Sequence, residues 1–347
     1  MSLPPALTRI ADGIHAWVPQ KNGTWGFANC LVIASGTEAA LVDTPYDGPL
    51  TRTLMAAATA VLPEGARVRT IVNTHANGDH TFGNAFFPGA EIISTRASLD
   101  HLCLEPDPEA MHLLTHTTPA DEPLGWYMRK HFGHYRYDGL QLRPPTRTFT
   151  GRHTLHVGTV PVELIEVGPA HTVGDLIVHL PEQATVCAGD ILFVGDHPVH
   201  WEGPLSRVAR ACETILALNP RTVVPGHGPI VGPEGVRDHL TYLRDLETLI
   251  HAGHAAGRSA RTTAEAIIES GFHSHLGLPE RLLIQTAVEY RHLDEDTSAP
   301  DLIALAREAA QWAFDRRPDS PAPDAVPARH APEPDVWARR HDHARSV

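Results

Sequence analysis

Basic charge is scarce in this chain. Its 347 residues carry 28 Lys and Arg against 41 Asp and Glu, a formal net charge of -13. That balance argues against nucleic acid and against an anionic membrane surface as partners. No apolar run approaches the length needed to span a bilayer. Met1–Asp12 has no basic stretch leading into an apolar one, so no secretory leader is expected. Cysteine is sparse as well. Cys30, Cys103, Cys187 and Cys212 are scattered without a CxxC spacing, and three of them sit in apolar surroundings and read as buried free thiols. A cytoplasmic protein is the expectation. Aromatics make up only 6% of the chain, and no short repeat is visible.

What is present points to one place. Hydrophobic residues at 42% are enough for a real core, in one large domain or two small ones. The apolar run Val68–Val72 reads as a buried strand, and directly after it comes Asn73-Thr74-His75-Ala76-Asn77-Gly78-Asp79-His80. Loops at strand ends are where α/β folds place chemistry. An extended or loosely turned loop would aim His75, Asp79 and His80 at one point, whereas a helix would scatter them. Gly78 is expected to allow the bend through a positive φ. With 24 histidines in the chain, a chance polar cluster is the competing reading. It is opposed by partners that recur downstream.

Strands are expected over Gly13–Pro19, Phe27–Ala34 and Glu38–Val42, with a Lys21-Asn22-Gly23 turn between the first two. Asp43, at the end of the third, is expected to accept hydrogen bonds from loop amides. A helix over Leu50–Leu62 precedes the organising strand, and Glu91–Ser94 and Thr95–Leu104 follow as strand and helix. Residues 105–147 break the rhythm and carry Trp126, Tyr127, Phe132, Tyr135 and Tyr137. They read as a helical insertion roofing the site, or else as a surface excursion packed on its own aromatics. Strands resume at Arg152–Val157, Val160–Val167, Leu176–Leu180, Thr185–Ala188 and Arg221–Val224, with an amphipathic helix over Ser206–Leu218. Residues 236–315 read as helices with apolar positions at helical spacing that need burial against the domain or a second copy, a homodimer. Residues 316–347 read as a disordered tail.

Three more strand ends carry ligand-type residues beside a small or cyclic one: Ala170-His171, Gly189-Asp190 and Gly226-His227. Four such loops make a joint signal that no single one would. These residues resemble the metallo-β-lactamase-fold superfamily of metallohydrolases. The motif His-x-His-x-Asp-His followed by His, Asp and His is matched by His75, Asn77, Asp79 and His80, then His171, Asp190 and His227. The resemblance spans about residues 10–235. It implies an αββα sandwich with metals at one edge. By resemblance a first metal would take His75, Asn77 and His171, a second would take Asp79, His80 and His227, and Asp190 would bridge them. Asn77 replaces the family's histidine. An amide oxygen is a weaker, harder donor than imidazole, which favours a single metal, or iron or manganese over zinc.

The chemistry expected of such a site is attack by metal-activated water on an acyl bond, with Asp79 as the catalytic carboxylate that orients the water or moves its proton. The substrate would be a small acyl compound, a thioester, lactone or lactam, as for a thioesterase or cyclase of secondary metabolism. His197, Trp126 and Tyr135 are the expected substrate contacts. The cofactor would be one or two divalent metals, zinc first. A single- or di-iron oxidoreductase on the same fold and a binding protein without chemistry are the competing functions.

Overall fold

The computed structural model of the protein describes residues 7–19, 23–298 and 300–317. Strands β1 (Leu7–Ala11), β2 (Ile14–Trp17), β3 (Cys30–Ser35) and β4 (Glu38–Val42) form an antiparallel meander. Helix α1 (Gly48–Val61) then crosses to β5 (Arg67–Val72). A single helical turn, α2 (Gly78–Thr81), leads on to β6 (Glu91–Thr95), and helices α3 (Arg96–His101), α4 (Pro108–His116) and α5 (Pro123–Phe132) come before β7 (Arg147–Phe149). From β4 to β7 the strands run parallel, so the first sheet has seven strands in chain order.

The second sheet is built from β8 (Arg152–Val157), β9 (Val160–Glu166), β10 (Leu176–Leu180) and β11 (Thr185–Phe193), all antiparallel. Helix α6 (Leu205–Ala217) returns the chain to β12 (Thr222–His227), parallel to β11. Helices α7 (Pro233–Ala255), α8 (Ala260–Glu269), α9 (Arg281–Leu293) and α10 (Leu302–Asp315) follow.

The layers follow from the side-chain alternation of the strands. In β3, Leu31 and Ile33 join Val162, Leu164, Val178 and Val224 between the two sheets. The alternate residue Val32 packs outward with Leu54 and Ala58 of α1. Both faces of the strand are covered, so it is apolar nearly throughout. On the far side, Val208, Cys212 and Ile215 of α6 and Leu240, Leu243 and Leu246 of α7 cover the second sheet. The result is the four-layer αββα sandwich expected from the sequence, with the C-terminal helices α7 to α9 sharing the core of its second face.

Several boundaries differ from expectation. β1 and β7 were not foreseen, because five and three residues with half-exposed faces carry little periodic signal. β11 runs on to Phe193, so Asp190 sits within a strand and not after one, and β12 includes His227. The expected strand from Phe27 starts only at Cys30, because Asn29 is taken up by another task described below. Lys21, Asn22 and the tail from residue 318 lie outside the described residues.

Candidate metal centre

The C-terminal ends of β4, β5, β9 and β12 meet at one edge of the sandwich with β11. There the stretch after β5 divides in two. His75 comes from the loop, but α2 begins at Gly78, so Asp79 and His80 stand on a helical turn and not in an extended loop. Gly78 has no positive φ. It is needed for closeness instead, since a Cβ there would lie 2.6 Å from the Phe82 ring and 2.7 Å from Tyr46.

Asp43 holds this segment from β4. It adopts a left-handed backbone, φ 62, which Asp tolerates better than most residues. Its carboxylate accepts from Thr74 N and Thr74 Oγ1, both at 2.7 Å, and lies 2.8 Å from His80 Nδ1. The Nδ1–H of His80 is thereby committed, and its Nε2 lone pair faces the centre. On the other side Asp175 accepts from Thr172 N and Oγ1 and shapes the turn that presents His171. Burial pushes the Asp175 carboxyl up to about 6. Asn29 Nδ2 donates to the carbonyls of Pro225 (2.8 Å) and Gly228 (2.9 Å), clamping the turn on which His227 sits.

Donors converge on Asp190, with His171 Nε2 3.5 Å from its Oδ2 and His75 grouped with it and His80. Asp190 Oδ1 lies 3.1 Å from His80 Nε2, and Asp190 Oδ2 lies 3.3 Å from His227 Nε2. Asp79 Oδ2 lies 3.4 Å from His227 Nε2 and 3.9 Å from His80 Nε2. His80 Nε2 and Asp190 Oδ1 are buried and make no hydrogen bond of good geometry. Facing lone pairs at such distances demand a cation between them. Tetrahedral ligands about 2.0–2.1 Å from a metal are about 3.3–3.4 Å apart, so His80, Asp190 and His227 fit a divalent ion, with Asp79, 3.9 Å from His80, toward its open side.

The electrostatics agree. Burial works against a charge on His80, but Asp190 and Asp43 outweigh it and hold its imidazole well above the ordinary value. Burial likewise pushes the Asp190 carboxyl up, while His227, His80 and His171 pull it well below the usual carboxylate range. Without another cation, His80 must supply the positive charge that the two carboxylates require.

Asn77 stands apart from that set. It is the N-cap residue of α2, yet its side chain makes no cap bond, although Asn is among the best caps. Its Oδ1 stands instead between two ligand-type imidazoles, 3.1 Å from His75 Nε2 and 2.8 Å from His171 Nε2. Both imidazoles are fixed as tautomers. His171 Nδ1 donates to the Val199 carbonyl. His75 Nδ1 lies 3.0 Å from Thr74 Oγ1, whose own hydrogen goes to Asp43, so the ring must donate there too. Burial, then His80, keeps His75 neutral by holding it well below its ordinary value. Two Nε2 lone pairs thus face the Asn77 amide. Oxygen and nitrogen of an amide exchange by half a turn. With the NH2 inward, two N–H donors meet two acceptors.

A cavity of about 140 Å³ opens on the centre, and Asp79, Asp190, His171 and His227 form its polar floor. Met111, Leu114, Tyr127, Met128 and Phe132 of the insertion wall it, joined by Trp25 and Tyr46 and by Ile284, Leu302 and Ile303 of α9 and α10. The three residues expected at the substrate are not in that wall. His197 Nδ1 bonds Tyr242 OH at 2.8 Å, and burial, with His273, pulls its imidazole down to about 4. Trp126 turns to Phe314 and Lys130. Tyr135 donates to the Trp25 carbonyl at 2.7 Å and stacks edgewise on Tyr46, so it supports the wall from behind. A further His and carboxylate group, Glu247, His251 and Glu289, lies on α7 and α9, where Glu289 is already engaged as acceptor for Leu205 N.

The glycines beside the ligands give the site a testable weak point. A Cβ on Gly226 would stand 1.9 Å from Asp190 Oδ1 and 2.7 Å from the Gly189 carbonyl carbon. Neither neighbour can yield without moving the donor set. Gly226→Ala is therefore expected to cost about 1–3 kcal/mol of stability and to displace Asp190. The readouts are the melting temperature and the metal content after dialysis. Parent-like values of both would show that the turn relaxes freely.

Residues 23–227 match the family model described as the metallo-beta-lactamase superfamily. Similar solved structures include a metallo-beta-lactamase from Pontibacter korlensis, with 18% identity over 69% of this chain and 99% of that one at a TM-score of 0.52. Another is a metallo-beta-lactamase of Pseudomonas aeruginosa in its mono-zinc form, with 21% identity, 70% and 96% coverage and a TM-score of 0.50. A third, from Erythrobacter litoralis with beta mercaptoethanol in its active site, has 21% identity, 69% and 96% coverage and a TM-score of 0.51. No curated protein matches the chain. Among the described residues no helix is long and apolar enough to cross a membrane.

Proposed function

The chain belongs to the metallo-beta-lactamase superfamily, whose members are generally metal-dependent hydrolases, and from that premise we propose that it hydrolyses a small acyl compound, a thioester, lactone or lactam, with one divalent metal held by Asp79, His80, Asp190 and His227. Thioester or lactone turnover in secondary metabolism, as by a thioesterase or cyclase, is the narrower reading. The observation that carries it is the convergence of these four donors at the floor of an apolar cavity.

A divalent metal supplies a Lewis acid that brings the pKa of water toward neutrality and polarises a carbonyl. The rest is the work of this chain's own residues. Asp43 fixes the His80 tautomer. The apolar wall keeps bulk water from the acyl carbon and orients the acyl group. Asp79, whose side chain is 15% exposed, is the ligand carboxylate most open to the cavity, and it takes the proton from the attacking water and returns it to the leaving group.

The test is a panel of aryl and alkyl thioesters, lactones and β-lactams offered to zinc-, iron- and manganese-loaded protein. Turnover of a thioester or lactone is expected. It should be lost with chelator and fall about 100-fold or more in Asp79→Asn, the usual contribution of a positioned acid or base. Fully loaded protein that turns over no member of the panel would overturn the reading. Iron as the metal that co-purifies, together with oxygen consumption, would replace it with the oxidoreductase alternative.

A further inference from the structure

Arg281 opens α9, beyond the residues matched by the family model. It is 2% exposed, and it shares the cavity with Asp79, Asp190 and His227. Its guanidinium carbon lies 4.0 Å from the Trp25 ring centroid and 5.5 Å from that of Phe193, which itself stacks on His227 at 5.2 Å. Nη1 donates to the His197 carbonyl at 3.0 Å. That is its one hydrogen bond among the described residues. Nε is buried without a partner, and the carboxylates that act on the group, Asp196, Glu280 and Asp190, do so through space. A guanidinium has five N–H donors. Burying it without a hydrogen-bonded carboxylate is costly, and ring faces compensate only in part. Burial accordingly pulls it below its ordinary value, partly offset by Tyr127 and Asp196.

The unpartnered Nε shares one edge of the group with Nη2, and no hydrogen bond of the described residues uses that edge. Two parallel N–H bonds on one edge are the geometry that receives the two oxygens of a carboxylate. The surroundings restrict what else can enter. The cavity, at about 140 Å³, is close to the size that accepts a benzene-sized group. Its other walls are largely apolar, and Asp79, Asp190 and Glu105 already line it, so a multiply charged anion is disfavoured.

From this arrangement we infer that Arg281 is a carboxylate-binding, specificity-determining residue, and that the acyl substrate is a monocarboxylate with a compact apolar body. The inference rests on the hydrolase reading for the word substrate, but its test reads binding and not turnover. The competing role for Arg281 is a structural brace between Trp25 and the His197 loop.

The experiment is calorimetric titration of the metal-loaded full chain with phenylacetate and with phenylacetamide, its neutral counterpart. Phenylacetate is expected to bind at least about ten-fold tighter, within the range of a charged hydrogen-bonded contact. Arg281→Gln, at parent metal content, should lose that preference. If the preference survives in Arg281→Gln, the carboxylate is held by the metal and the proposal is overturned. A parent without any preference overturns it equally. Should Arg281→Gln lose its metal or its fold, Arg281→Lys decides. Lysine keeps the charge but not the fork, so its preference should fall between one-fold and the parent's, and a parent-like value would overturn the inference. A carboxylate preference in a protein that hydrolyses nothing would leave the anion subsite standing and remove the hydrolase reading. Hydrolysis without the preference would do the reverse.

Discussion

His227→Ala is expected to purify without stoichiometric metal and to show no metal-dependent turnover. His227 Nε2 is the donor placed between two carboxylates, 3.3 Å from Asp190 and 3.4 Å from Asp79. Its removal leaves His80, with His171 at 3.5 Å from Asp190 Oδ2, to face them. Loss of a mere hydrogen-bond partner of a ligand costs about 10–100-fold in metal affinity, so loss of the ligand itself should exceed that. The fold should survive, because β12 is held by its pairing with β11 and by the Asn29 clamp on backbone carbonyls. Stacking of the imidazole on Phe193 is lost, a modest term. Elemental analysis of the dialysed proteins decides the point. Equal metal in parent and variant would remove His227 from the centre. Melting in the presence of chelator separates the metal effect from a folding effect, since there the two proteins should differ little.

Most of the ligand residues were legible because they come at or near the end of an apolar run and sit beside Gly, Pro or Ala; His80, between Asp79 and Thr81, was legible only through the motif. The glycines matter for the reason the pattern suggests, which is that Cβ atoms at Gly226 and Gly189 would strike Asp190 and Thr74. The αββα layering was readable from the alternation of strands for the same kind of reason. What orients the ligands was less visible. Asp43 showed as a strand-end acceptor, but its bond to His80 spans 37 residues, and Asn29 reaches Gly228 across 199. No local pattern encodes contacts of that range.

The cavity wall shows a different limit. The aromatics of the insertion were visible as a group, but which of them face inward depends on helical phase. On α5, Tyr127, Met128 and Phe132 turn to the cavity, while Trp126, one residue away and so about 100° around the helix, turns to α10. His197 lies seven residues past Asp190, yet the chain turns it toward α7. Arg281 gave no signal in the sequence at all, since a lone Arg at a helix start reads as surface. It becomes notable only once its burial and missing partner are seen.

Asn77→His is expected to raise the bound metal from one ion per chain to two. In the parent, the amide of Asn77 spans His75 and His171 at 3.1 and 2.8 Å. Both imidazoles have given their Nδ1–H elsewhere, to Thr74 Oγ1 and to the Val199 carbonyl. Two lone pairs therefore await either N–H donors or a cation. The structure places Oδ1 there; turned by half, the amide brings its NH2 inward, supplies the first and so takes the place of the second. An imidazole at residue 77 reverses this, because a neutral ring cannot donate to both neighbours while also presenting a lone pair, and three facing lone pairs form an all-nitrogen zinc set. Asn77 is free to be exchanged in this way because its side chain does not cap α2. The sign of the activity change is not fixed by the arrangement. A second ion beside the cavity polarises a carbonyl oxygen if the substrate reaches it, and obstructs the floor if it does not. The stoichiometry is fixed. In a zinc titration followed by calorimetry, the parent should saturate at one equivalent and Asn77→His near two. Coincident curves would mean that the amide does not occupy a metal's place and that His75 and His171 have another role.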